Sequence, residues 1–151
     1  MNTLLQWHPM VVHFPLALII TAAATLLLAR TLNGSIAATL ATVGTWNLCL
    51  GAVAALFAVG TGMAAMLDLH LAVAAKAAVS IHVKWALFTS VALLLLAAWR
   101  GAGGAQNSRP SWLFLLLLFA ATGALIETGY RGGQNVYRYG VGVERAAPSG
   151  S

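Results

Sequence analysis

The sequence predicts an all-α membrane protein: an antiparallel four-transmembrane-helix bundle with a C-terminal extended tail folded over one face. Three observations carry that expectation. Apolar residues make up 60% of the 151 residues and charged residues only 7%, against roughly 25% charged in ordinary globular domains. Lipid must therefore replace water over much of the surface. Four apolar runs are long enough to cross a hydrocarbon core about 30 Å thick, which takes roughly 20 residues of helix. Four histidines, His8, His13, His70 and His82, sit at the edges of those runs, and up-and-down threading gathers all four at one membrane face.

The first span is expected over 9–30. Pro9 suits the first helical position, while Pro15 removes one backbone bond and kinks the helix near Val11 to Phe14. No Lys or Arg precedes this run, and Arg30 follows it in place of a small-residue cleavage site. It reads as a retained helix rather than a signal peptide. Thr31 to Ser35 forms the first turn. The next apolar stretch, 36–69, is too long for one upright span, so the crossing is placed at 44–67 after a tilted or interfacial extension. Its small residues, such as Gly51, Ala55, Ala58 and Gly62, permit close helix packing. The alanine-rich segment from His70 to Val79 reads as an interfacial helix, and Ser80 as the cap of a third span over 81–100. The glycine-rich stretch 101–108 is a flexible loop, and Pro110 or Ser111 opens the fourth span, 111–130. One transmembrane domain thus covers 1–143, and 144–151 reads as a disordered tail.

The formal charge of +5 is spread over loops and helix ends, a pattern of membrane anchoring rather than nucleic-acid binding. The single Cys49 excludes a disulfide framework, a zinc knuckle and a covalent haem-attachment motif. Trp7, Trp46, Trp85, Trp99 and Trp112 fall near span ends as an aromatic belt. Thr45, Asn47, Thr61 and Thr89 can bond across helices, and the scarcity of other mid-membrane polar residues argues against a channel or transporter. Arg30 after the first span favours an outside amino terminus. The raw count opposes this, because Lys76, Lys84, Arg131, Arg138 and Arg145 lie on the histidine face. The first-helix signal is given more weight, so the histidine face and both termini are expected to be periplasmic.

His8 and His13 are five residues apart, so on a straight helix they point about 140° apart and lie about 7.5 Å apart in height. They do not form an i, i+4 ligand pair. His13, one turn inside its helix, is expected to face His82 in the first turn of the third span, and two imidazoles on facing helices are a standard way to hold a b-type haem. His8 and His70 lie nearer the interface. They could ligate a second group, line a proton path or bond headgroups. Beside this stands a plainer reading, since amphipathic rings sit well at membrane interfaces. The four histidines also fit a copper or zinc site. Glu127 is a proton carrier, a partner of Lys84 or Arg131, or a solvated helix end. Lys84 and Arg131 could meet haem propionates or snorkel.

The opening His8-Pro9-Met10-Val11-Val12-His13-Phe14-Pro15 and the closing Gly132-Gly133-x-x-Val136-Tyr137-x-x-Gly140-Val141-Gly142-Val143 resemble the two signatures of a bacterial family of four-helix inner-membrane proteins, catalogued as a domain of unknown function. His82 at the third helix and Asp68 after the second match the same pattern, and the resemblance runs from Trp7 to Val143. Asn135 departs from it, standing where the family usually has an apolar residue. Glycines that allow turns, beside Val and Tyr that favour extended backbone, make Gly129 to Val143 read as a strand-like lid over the histidine face. Some relatives continue into c-type cytochrome domains, which implies a redox setting outside the cytoplasmic membrane; fold kinship alone does not assign function.

The leading expectation is a haem b electron carrier rather than a stand-alone enzyme. It would use His13 and His82 as axial ligands and exchange electrons with a quinol, a periplasmic c-type cytochrome or a larger redox complex. The rivals are a non-catalytic structural or assembly subunit with no cofactor, and a copper- or zinc-binding membrane protein.

Overall fold

The structure, a computed structural model, describes residues 3–67, 71–102 and 108–143. Asp68, His70, most of the expected glycine loop and the tail from Glu144 lie outside the described residues. Five helices follow in order: α1 (Thr3–Val11), α2 (His13–Thr31), α3 (Gly34–Met66), α4 (Val73–Ala102) and α5 (Trp112–Tyr137). Together α1 and α2 make the first of four helices long and apolar enough to cross a membrane, the others being α3, α4 and α5.

Pro15 breaks the first span where its missing N–H and its ring disturb the preceding turn. The helix is interrupted at Val12, and α2 resumes at His13. Pro9 is not the first helical residue, as expected, but lies inside α1, because the helix already begins at Thr3. Gly34, with φ +73°, supplies the left-handed residue of the tight turn into α3. Ser111 caps α5, its hydroxyl accepting from the Phe114 N–H at 3.1 Å.

Three expected boundaries move. α3 is one continuous helix of 33 residues, roughly 50 Å at 1.5 Å per residue, so the extension before Gly44 is simply more of the same helix. α4 starts at Val73 and passes through the exposed Ser80 without a break; the alanine-rich turns before it are too good a helix for a serine to stop. α5 runs to Tyr137 instead of ending near Tyr130. The expected strand-like tail is therefore helical through Gly132, Gly133, Gln134 and Asn135. Gly140, at φ +64°, ends it. The Gly140 N–H bonds the Val136 carbonyl and the Val141 N–H that of Asn135, so the closing glycine motif serves as a helix C-cap.

Contacts run down one helix as they run up the next. A Cβ at Gly51 would meet Ile19, and one at Gly44 would meet Leu26, so α2 and α3 are antiparallel and nearly touching. Trp99 meets Phe114 edge-on, with centroids 5.5 Å apart, while Thr89 bonds Thr128 at 3.3 Å; α4 and α5 are antiparallel too. α2 packs on α3 and α5, and α4 packs on the same two. The first and third spans are thus diagonal across the bundle. Ile19, Leu26, Leu48, Leu93, Leu115 and Leu118 fill its centre. Most outward positions are large and apolar, such as Phe57, Phe88, Leu95 and Leu116, as lipid contact requires.

Candidate functional site

The starts of the first and third spans bring two histidines to one end of the bundle. His8, on α1, lies against α3, where a Cβ on Gly62 would come within 2.9 Å of its Cε1. His82, on α4, lies against α5, where a Cβ on Gly132 would come within 3.1 Å of its Cε1. Each ring rests on a helical glycine, where an added Cβ would press on the imidazole. The two hairpins carry the same device.

Each ring is also oriented by a hydrogen bond. His82 Nδ1 lies 3.1 Å from the Thr128 carbonyl oxygen. A carbonyl only accepts, so Nδ1 carries the proton and Nε2 keeps its lone pair. His8 Nδ1 lies 3.1 Å from the Thr61 hydroxyl, and that hydroxyl donates its own proton to the Ala58 carbonyl at 3.0 Å. The Ala58 carbonyl is also a hydrogen-bond partner of His8, so the ring and the Thr61 hydroxyl converge on one backbone oxygen. The two rings are close enough to interact electrostatically. The neighbouring threonine hydroxyls are engaged. Thr89 donates to Thr128, whose hydroxyl in turn donates to the Ala124 carbonyl at 2.7 Å.

The expected facing pair was His13 with His82. The structure brings His8 near His82 instead, and leaves His13 exposed just past the Val12 break. The reason is the kink: α1 leans on α3 and α2 and, unlike α2, makes no contact with α5 among the described residues. Of the other expected site residues, Arg131 forms an ion pair with Glu127 at 2.7 Å and sits 5.2 Å over the Trp85 ring, and its Nε is buried without a hydrogen-bond partner. Lys84 is exposed. His70 lies outside the described residues. Sequence reasoning took Thr61 for a helix-bridging residue, Gly62 for packing and Gly132 for part of a turn. All three, with Thr128, position the histidines. Their signal is a small residue at the end of each even-numbered span, level with a histidine at the start of the preceding one.

The opposite end is built from arginines. Arg100 is buried, donating through Nε to Thr45 at 3.2 Å and through Nη2 to the Ser108 carbonyl, with Phe114 beneath it at 5.9 Å. Arg109 donates to the Leu32 carbonyl at 2.9 Å and to Asn33. These bonds fasten each connection to the neighbouring hairpin. Thr45, Thr61 and Thr89 all bond across helices, as expected.

The family model DUF2231, described as a predicted membrane protein, matches residues 5–145. The chain belongs to this family. No curated protein and no solved structure matches it. Membership makes it an integral membrane protein and leaves its chemistry to be argued from the residues. Among the described residues no group of three or more His, Cys, Asp or Glu side chains gathers as a metal site. What the geometry offers is two imidazoles on diagonal helices, each with Nδ1 tied to a neighbouring helix, and on His82 an Nε2 left to bind a metal or take a proton.

Proposed function

We propose that this membrane protein carries electrons on a b-type haem held by His8 and His82. The observation that supports the reading is the orientation of the two rings. Ligating histidines usually donate their other ring N–H to a carbonyl or similar acceptor, which fixes the ring and the tautomer; His82 is held in that way by the Thr128 carbonyl, and His8 is held through Nδ1 by the Thr61 hydroxyl. Two imidazoles complete the axial set of a haem, whose porphyrin brings the remaining nitrogens; for zinc they are only half of the usual tetrahedral set. The haem would supply one-electron chemistry. The chain would orient it, exclude water and present a cation to a propionate. Arg131 would take that last role; its Nε is buried without a hydrogen-bond partner among the described residues. The histidine end would face the periplasm of a bacterial inner membrane and exchange electrons with a quinol or a periplasmic c-type cytochrome.

An optical spectrum tests this. Detergent-purified protein from a haem-replete host is expected to be red, with the reduced-minus-oxidised bands of a b-type haem. His8→Ala and His82→Ala should each abolish the bands, and His13→Ala should keep them. Colourless wild-type protein overturns the proposal, and so does loss of the bands in His13→Ala alone. A second reading, a non-catalytic subunit of a larger complex, draws on Gly60, Gly123 and Gly129. Nothing lies within 4 Å of a Cβ built on any of them, and small outward positions let a partner helix approach closely. Stoichiometric co-purification of another protein without bound haem or metal would favour it. Copper or zinc found by elemental analysis would favour the metal reading.

A further inference from the structure

At the arginine end, a groove of about 460 Å³ opens to the lipid side between α2 and α5. Leu27 forms one wall. Trp112, Leu115, Leu116 and Phe119 form the other, spaced as one stripe along α5, with Leu113 beside them. Arg30 lies one turn beyond Leu27, its guanidinium 4.9 Å over the Trp112 ring. That stacking orients a planar fork of N–H donors, and among the described residues no acceptor meets them. Among the described residues the one acid, Glu127, lies at the other end, paired with Arg131. The Trp112 ring thus has Arg30 on it and the apolar groove beside it.

We infer that this groove is a binding site for one anionic phospholipid, with its phosphate on Arg30 and an acyl chain along the α5 stripe. The occupant follows from two properties that meet at Trp112. The groove is apolar and opens sideways from a membrane-spanning helix, which suits a hydrocarbon chain. At its mouth stands a guanidinium that meets no acceptor among the described residues, a group that binds phosphate oxygens in a bidentate way. Arg100 is turned inward to Thr45 and Ser108, Arg109 is tied through Nη2 to Leu32 and Asn33, and Arg30 is the guanidinium stacked on the groove's Trp112. The site is independent of whatever the histidines hold.

Quenching by brominated lipids tests the inference in the full-length chain. Trp7, Trp46, Trp85 and Trp99 are replaced by Phe, leaving Trp112 as the reporter. Vesicles then contain either dibromo-phosphatidylglycerol or dibromo-phosphatidylcholine at equal mole fraction. The phosphatidylglycerol is expected to quench Trp112 with about fivefold higher apparent affinity, the contribution of one basic residue near a headgroup. Arg30→Gln should bring that ratio to about one, Arg30→Lys should keep part of it, and Arg138→Gln, at the far end, should leave it unchanged. Equal quenching by the two lipids in the Arg30 protein overturns the inference. A preference that survives in Arg30→Gln also overturns it.

Discussion

The two ends of the bundle use their polar side chains in opposite ways. At the arginine end, Arg100 and Arg109 direct their N–H groups to protein oxygens, and the two-residue turn between α2 and α3 closes tightly against Arg109. At the histidine end each imidazole is tied through Nδ1 to a neighbouring helix, His82 keeps its Nε2, and the kinked α1 stands away from α5. The contrast separates structural from available polarity. Guanidinium groups directed to protein oxygens hold helices together, whereas a half-engaged ring is held in place for something else.

The strongest way to break the comparison is to remove one side chain from each end. Arg100→Ala should lower stability by about 2–3 kcal/mol, because a buried guanidinium loses bonds to two partners and those partners lose theirs. His8→Ala and His82→Ala should each cost only about 1 kcal/mol, the worth of one ordinary hydrogen bond. Equilibrium unfolding in mixed detergent micelles measures both. Equal losses would erase the distinction between the ends.

Next in size are the glycines of the α2–α3 seam. Gly44→Ala and Gly51→Ala place a Cβ within 2.6 and 2.7 Å of Leu26 and Ile19, and overpacking of this kind costs about 1–3 kcal/mol. Gly123→Ala meets open space and should be neutral or stabilising by up to about 1 kcal/mol, as alanine improves on glycine in a helix. The same unfolding assay reads the opposite signs.

Smaller still are the glycines beneath the imidazoles. Gly62→Ala and Gly132→Ala push on the end of a side chain rather than on a packed core, so a ring shift of a few tenths of an ångström relieves them. A stability loss of under about 1 kcal/mol is expected. The informative readout is the imidazole resonance of the histidine concerned: Gly62→Ala should move that of His8, and Gly132→Ala that of His82. If each substitution moved the other ring instead, the pairing of histidine with glycine would be wrong.

Much of the fold was legible because lipid simplifies the code. Four apolar runs, the Pro15 break, the Ser111 cap and the cross-helix threonines follow from length, a missing N–H and unsatisfied backbone groups. Boundaries were misread wherever a local signal met a longer helix: Ser80 looks like a cap, and Gly132-Gly133 looks like a turn. A serine does not stop an alanine-rich helix, and a glycine pair stays helical where a histidine ring needs the room. The gathering of histidines at one end was legible, but the partner of His82 was not. Threading gives height and not rotation, and the proline break re-aims everything before it. That break brings His8 inward, although His13 lies deeper along the chain.

The most direct test of the oriented-imidazole account is the tautomer of His82. With ¹⁵N-imidazole-labelled protein prepared without haem, placed in lipid nanodiscs at alkaline pH and assigned by His82→Ala, that ring should show a protonated Nδ1 and a bare Nε2. Finding the proton on Nε2 would contradict it, since the ring could then neither donate to Thr128 nor offer that nitrogen to a ligand.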